Sequence, residues 1–160
     1  MAVDVFLKLG DIKGESVDSK HKDEIDVLSW SWGLSQTGTT HLGSGGGAGK
    51  VSVQDLHITK YVDKSSPNLM LTCCNGKHFN DATLTVRKAG EDALEYLKIT
   101  LKTVLVSSVS PGGSKGDERT MESVGLNFAQ FKMEYTPQDS QGKAGGTVTA
   151  GWNIAENVKV

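Results

Sequence analysis

The sequence is short of the residues that cross-link a chain or anchor it in a membrane. Its 160 residues include two cysteines, and these are adjacent, Cys73 and Cys74. A disulfide that closes a long loop within the chain is therefore excluded, and we predict two reduced, buried thiols. No apolar run approaches the roughly 20 residues that cross a bilayer, which argues against membrane insertion. The opening MAVDVFLKLG lacks the features of a Sec-type signal peptide, so synthesis and folding in the cytosol are expected.

The sequence also lacks a large excess of either positive or negative charge. Seventeen lysines and arginines oppose nineteen acidic residues, for a formal net charge of -2. No long basic stripe occurs, so binding to nucleic acid has no electrostatic support. The apolar content of 37% and the charged content of 22% are ordinary for a globular protein. The length favours a single domain over residues 1–160 with a core of its own.

Apolar residues alternate along most of the chain, which is the period of a half-buried strand. The first predicted strand has one face made of Val3, Val5, Leu7 and Leu9. Further runs are Leu28, Trp30, Trp32 and Leu34; Val51 and Val53, then Leu56 and Ile58; Ala82, Leu84 and Val86; Leu97, Ile99, Leu101 and Leu105; Val124, Leu126 and Phe128, then Phe131, Met133 and Tyr135; and Val148, Ala150, Trp152 and Ile154. The shift before Leu56 predicts a strand that passes between two sheets. Seven or so strands with short turns predict a sandwich or barrel.

One short helix is predicted over residues 67–74. Ser66 is the expected N-cap, Pro67 the first helical residue, and Asn75-Gly76 the end. Leu69 and Cys73 lie four apart and predict the buried side of the helix. A lone helix in a β protein covers a sheet edge or the end of a barrel.

The glycine-rich run GSGGGAGK, residues 43–50, invites comparison with a phosphate-binding loop. That motif needs Gly where Ser44 stands and Ser or Thr where Val51 stands. In nucleotide-binding proteins such glycines open a helix, whereas these lead into the predicted strand at Val51. We therefore predict no nucleotide cofactor and interpret the run as a loop that a partner orders.

The other residues that could carry chemistry do not form a site. The histidines show no metal-ligand spacing, and the serines no GxSxG elbow; the histidines are His21, His41, His57 and His78. Two acidic groups are predicted to be solvated turns; they are Asp23, Glu24 and Asp26, and Glu91, Asp92 and Glu95. No catalytic residue, cofactor or metal ligand is predicted, and the chain is not expected to be an enzyme.

The residues themselves support two hypotheses about function. Long strands leave edges that must be hidden, and pairing with copies of the same chain is one solution. The alternative is a monomeric β-sandwich module that binds a carbohydrate or protein ligand through an exposed Trp30 or Trp32. Their shared parity with Leu28 and Leu34 favours core packing instead. An enzyme is a third hypothesis without a supporting residue.

Long blocks of the chain resemble the Hcp family, the tube proteins of bacterial type VI secretion systems. In order, the blocks are VFLKLGDIKGES, IDVLSWSWGLSQ, GGGAGKVSVQDL, TKYVDKSSPNLM, LKTVLVSSVSPGGS, LNFAQFKMEY and GWNI. The resemblance implies a mainly β fold, an antiparallel β-barrel of two sheets with one short α-helix, similar to phage tail-tube proteins. It also places that helix on the outer side of a ring.

The implied function is structural. Six copies would form a homohexameric ring with a central channel, and rings would stack into a tube inside a contractile sheath, behind a VgrG-type spike protein. Small effector proteins would bind in the channel, which protects them. The protein would be cytoplasmic when assembled, then secreted to the extracellular space or a target cell when the sheath contracts.

The resemblance assigns two segments. One matches the family's protruding loop, which is expected to contact the adjacent ring and the neighbouring subunit; it comprises Gly38, Thr39, Thr40, His41, Leu42, Gly43, Ser44, Gly45, Gly46, Gly47, Ala48 and Gly49. The other is the loop over residues 111–114 near the channel, where Ser114 is the channel-facing candidate.

Overall fold

The computed structural model describes residues 2–38, 41, 49–90 and 93–160. Strands dominate this part of the chain, and one helix lies between the sixth and seventh strands. In order, the elements are β1 (Val3–Leu9), β2 (Ile25–Asp26), β3 (Ser29–Ser31), β4 (Leu34–Ser35), β5 (Ser52–Val53), β6 (Leu56–Tyr61), α1 (Ser66–Asn75), β7 (His78–Lys88), β8 (Glu95–Gly112), β9 (Met121–Tyr135), β10 (Val148–Asn153) and β11 (Val158–Lys159).

The strands form one large antiparallel sheet and a two-stranded sheet of β4 and β5. The main path of the large sheet runs β11-β10-β9-β8-β7-β1-β2. The side of β9 that faces away from β8 pairs with two strands: β6 pairs with its first half and β10 with its second. The shift predicted between Val53 and Leu56 is confirmed, since the chain leaves the small sheet there and enters the large one.

The short segment that carries β2 and β3 joins the two ends of this arrangement. The Val27 N–H donates to the Val5 carbonyl at 3.0 Å, and the Leu28 N–H donates to the Thr59 carbonyl at 2.8 Å. Adjacent residues thus bond to β1 on one side and to β6 on the other. The segment therefore links β1, near one end of the main path, to β6, which pairs with β9. The fold is mainly antiparallel β with one short helix, as predicted.

This change of partner alters which residues of the segment are buried. Ile25 and Val27 lie in the core, whereas Leu28 and Leu34 are each 47% exposed. Predicting those two leucines as core residues was wrong, because the segment is not one continuous strand. Trp30 and Trp32 do pack against the core, which confirms the prediction for both tryptophans.

The alternation of core-facing residues changes parity at neighbouring positions in three adjacent strands. Buried apolar side chains lie two apart along β7, β8 and β9, apart from one step of three in each strand: Phe79 to Ala82, Leu101 to Val104 and Phe128 to Phe131. The steps lie side by side because the register is constant across them. Thr103, at the centre, has a φ of 55°. This kink puts Val104 in the core and leaves Leu105 half-buried, contrary to the predicted alternation.

The helix matches its prediction except at its start and on its surface. Ser66 is the first helical residue, and Ser65 rather than Ser66 is the N-cap. The helix ends at Gly76 in the left-handed conformation, with the Gly76 N–H donating to Thr72. Leu69 is buried and the helix packs against β8. Both thiols are free, but Cys74 is exposed, so the prediction of two buried thiols was wrong.

Candidate assembly surfaces

One exposed face of the large sheet is built mainly from uncharged polar side chains, most of which carry a hydroxyl, and it continues to Met121 at the start of β9. It spans β3, β6, β9 and the end of β8, and we call it the serine face. Its members are Ser29, Ser31, His57, Thr59, Ser107, Ser108, Ser110, Ser123 and Asn127. One row crosses all four strands in register: Ser29 opposite Thr59, Thr59 opposite Ser123, and Ser123 opposite Ser110. At about 4.8 Å per strand, the row is roughly 15 Å wide.

Gly125 lies at the centre of the serine face. A Cβ at this position would stand 2.5 Å from Ser108 Oγ and 3.0 Å from Ser107 Oγ. The ladder slips between Val106 and Ser108, which turns two successive serines towards this glycine. Only glycine fits beneath them, so Gly125 keeps the bulge and its hydroxyls in place.

The charge on the serine face is small. Its one carboxylate, Asp55, accepts hydrogen bonds from Ser107 Oγ at 2.6 Å and from Asn127 Nδ2 at 2.9 Å. The exposed side of the other half of the sheet instead carries lysines, including Lys102 and Lys132. A wall of hydroxyls both donates and accepts hydrogen bonds without attracting one sign of charge.

A buried ion cluster lies behind the serine face and fixes its strands. Lys60 and Glu122 are cross-strand partners on β6 and β9, and their side chains form an ion pair. Lys60 Nζ also lies 3.0 Å from Asp63 Oδ1, while Ser66 Oγ donates to Glu122 Oε1 at 2.6 Å. The cluster therefore ties the start of α1 to both strands. A buried charge is tolerated only when it is paired and hydrogen-bonded in this way.

Residues 13–24, between β1 and β2, cover the outer side of β1 and β7. Arg87 on β7 binds Asp18 of this segment through both terminal nitrogens, and also Asp4 of β1 at 3.0 Å. The guanidinium hydrogen bond holds the pKa of Asp18 well below its usual range, and Asp18 in turn raises the pKa of Arg87. The ion pair thus anchors the segment to the sheet.

His21 provides a second anchor for the same segment. Its ring stacks on Phe6 with centroids 4.4 Å apart. Its Nδ1 lies 2.8 Å from Glu24 and its Nε2 lies 2.6 Å from Glu95. The prediction that the acidic groups are merely solvated turns was wrong for Glu24 and Glu95; Glu91 and Asp92 lie outside the described residues. No sequence spacing brings Glu95 to His21, because the two are 74 residues apart.

The predicted protruding loop falls largely outside the described residues. Of its twelve positions only Gly38, His41 and Gly49 are described, and all three are exposed. Thr39, Thr40 and residues 42–48 are not among them. The role assigned to this loop therefore stays a prediction.

Ser114 lies at the far end of the β8–β9 hairpin and is exposed. Its N–H donates to Asp117 Oδ2 at 2.9 Å, which shapes the turn. Pro111 and Gly112 belong to β8 rather than to the loop predicted there, because Pro111 pairs with Glu122. Ser114 follows the serine face along the hairpin but is not one of its strand residues.

An apolar cavity of about 500 Å³ lies where β10 meets β9 and the small sheet. Its lining includes Leu34, Val51, Phe131, Ala150 and Trp152. The Nε1 of Trp152 is buried and has no hydrogen-bond partner among the described residues. Trp32, by contrast, donates its Nε1 to the Gln54 carbonyl. We call this the β10 cavity.

Chemistry of other kinds finds little support in the described ranges. Within residues 2–38, 41, 49–90 and 93–160, no group of three His, Cys, Asp or Glu side chains could hold a metal ion. No helix in these ranges is long and apolar enough to cross a membrane. Of the histidines, His21 is buried and contacts Glu24 and Glu95, His57 lies on the serine face, and His41 and His78 are exposed.

Sequence reasoning did not identify the serine face, although its signal is present. Ser29 and Ser31 alternate with Trp30 and Trp32, and Ser107, Ser108 and Ser110 interrupt the valines of β8. Each group resembles the solvent side of an ordinary strand. Only the register shows that the groups join into one surface.

Comparison with known proteins identifies the family. The family model described as type VI secretion system effector, Hcp, matches residues 6–135. A Pseudomonas aeruginosa protein named Protein hcp1 is 63% identical over 161 residues, covering 99% of both chains. The crystal structure of Hcp1 from Salmonella typhimurium superposes with a TM-score of 0.83 at 46% identity over the whole of both chains. A structure of a type six secretion system protein reaches 0.93 at 33% identity, over 99% of this chain and 100% of the other. The chain therefore belongs to the Hcp family of type VI secretion tube proteins.

Proposed function

We propose that six copies of this chain close into a ring whose channel is lined by the serine face. Rings of this kind would stack into the tube that sheath contraction expels. The observation that carries the proposal is a broad exposed face of hydroxyls, in register across four strands. An ordinary exposed sheet face carries charges for solubility, as Lys98, Lys102 and Lys132 do in the other half of the sheet. A channel wall instead needs weak, sign-neutral contacts that let cargo move.

The remaining partners follow from membership of the family. Small effector proteins are proposed to bind the channel wall, with Ser114 near its rim. The loop from Gly38 to Gly49 is proposed to contact the adjacent ring and the neighbouring subunit. A VgrG-type spike would sit on the end of the tube and a contractile sheath around it. The assembled protein would be cytoplasmic before contraction exports it, and its role is structural rather than enzymatic.

The position of labelled residues in electron micrographs tests this arrangement. Cys74 is exposed on α1, which is expected on the outer side of the ring. Labelling the wild-type protein with maleimide-gold should therefore place density on the outer rim. In a chain with Cys73→Ala, Cys74→Ser and Ser123→Cys, the same label should lie at the ring centre.

Ser140→Cys in the cysteine-free background is a matched control, because Ser140 is an exposed serine away from the serine face. Its label should stay off the centre. Rings in which the label at position 123 lies on the outer rim would exclude the serine face as the channel wall. Micrographs without rings would exclude the ring itself.

A further inference from the structure

The β10 cavity has the properties of a site that another chain fills. It is mostly apolar, holds about 500 Å³, and includes Leu34, which is 47% exposed. Apolar surface exposed to water is unfavourable, so covering this cavity with another apolar group stabilises the assembly. The exposed Ala150 gives access to its floor from outside.

Val17 is the most conspicuous apolar projection among the described residues. It is 95% exposed, although its neighbour Ser16 is 3% exposed and Asp18 is held by Arg87. The side chain is therefore displayed from an anchored segment rather than from a loose one.

The cavity and Val17 lie far apart in the strand order of the large sheet. The cavity is on β10, and Val17 belongs to the segment between β1 and β2. Four strands, β9, β8, β7 and β1, separate β10 from β2, which is roughly 25 Å along the sheet at about 4.8 Å per strand. Complementary features at two different places on one chain generate head-to-tail contacts, and these close into rings when the rotation permits.

The charges around the two features are also complementary. Beside Val17, a depression of about 240 Å³ is lined by Asp4, Asp18 and Asp26 with Arg87 as its cation. Burial, and then the neighbouring carboxylates, raise the pKa of Asp26, which indicates surplus negative charge there. At the cavity, Lys159 is the cross-strand partner of Trp152. Opposed charges of this kind align two surfaces as they meet.

We propose that Val17 of one copy of this chain seats in the β10 cavity of the next copy. This contact rests on the proposed ring and specifies one part of its subunit interface. The depression containing Asp26 then faces Lys159 of the neighbouring copy. The same contact repeats around the ring, because each copy carries both features.

Disulfide cross-linking tests the contact directly. In a Cys73→Ala, Cys74→Ser background, Val17→Cys and Ala150→Cys are combined in one chain. Mild oxidation of the assembled protein should give a ladder of up to six covalently joined chains on a non-reducing denaturing gel. Reductant should return it to one band. The matched control is Lys20→Cys with Ala150→Cys, because Lys20 is exposed on the same segment; it should give little ladder.

The outcomes separate this inference from the proposed function. Rings by native mass, without a ladder from the Val17→Cys pair, would overturn the contact and leave the ring intact. No rings from the cysteine-free parent would overturn the proposed function. Val17→Asp gives a second measurement, since an aspartate cannot enter an apolar cavity. We expect it to raise the concentration needed for half-assembly at least tenfold, and an unchanged concentration would also overturn the contact.

Discussion

Arg87 shows how much of this protein depends on single buried charges. It lies on strand β7 of the large sheet yet binds two carboxylates from elsewhere in the chain, Asp4 and Asp18. Its side chain also lies over the Phe6 ring, with its guanidinium carbon 5.0 Å from the centroid. These contacts hold residues 13–24 against the sheet and so set the position of Val17.

The depressed pKa of Asp18 makes this anchor sensitive to pH. Because the folded value is the lower one, the stabilisation is complete above the unfolded aspartate pKa of about 3.9 and is lost as pH falls through the folded value. Asp18→Asn should lower Tm at pH 7. The difference in Tm between this variant and the wild type should become smaller below about pH 4. Differential scanning calorimetry measures both.

Asp11→Asn is the control for that experiment. Asp11 is exposed and forms no hydrogen bond or ion pair among the described residues, so its replacement should leave Tm unchanged at every pH. If the wild type exceeded Asp18→Asn in Tm by the same amount at pH 7 and pH 3, the stabilisation by Asp18 would not depend on pH, and the prediction would be contradicted.

For individual residues, the sequence predicts the apolar core but not the buried charges. Alternation correctly marked Leu7, Leu84 and Ile99 as core residues, because apolar side chains follow the period of the strand. Lys60 and Arg87 could not be found in the same way. Long cationic side chains are almost always solvated, and their acidic partners lie up to 83 residues away.

At the scale of elements, the line of three-residue steps across β7, β8 and β9 determines the shape of the sheet. Thr103 lies on that line with a φ of 55°, which is unfavourable for a β-branched residue. The sequence predicted most strands correctly and missed this kink, since no glycine or proline marks it. It did show the step in β9, where the alternation changes between Phe128 and Phe131.

The strain at Thr103 predicts an unusual response to substitution. Asparagine tolerates the left-handed region better than threonine, so Thr103→Asn should stabilise the protein by about 1 kcal/mol. The same change at Thr100, in the regular part of β8, should instead destabilise it by about 0.5–1 kcal/mol. Urea unfolding of both variants gives the two free energies. Equal effects of the same sign would mean that position 103 carries no strain.

At the scale of the whole molecule, the exposed surfaces point to assembly. The serine face, the β10 cavity and Val17 are each exposed in one chain, and the Hcp family functions through assemblies. Sequence blocks identified that family because they are long and in order. They could not show how hydroxyls on four strands join into one face, since that depends on register between residues up to 70 positions apart.

Native mass spectrometry of the purified chain tests the central claim most directly. One chain weighs 17.1 kDa, so a closed ring of six should appear at about 103 kDa as the main species above its assembly concentration. Dilution should yield monomers without a stable series of open intermediates, because a closed ring loses two contacts when the first subunit leaves. A monomer at every concentration would contradict the account.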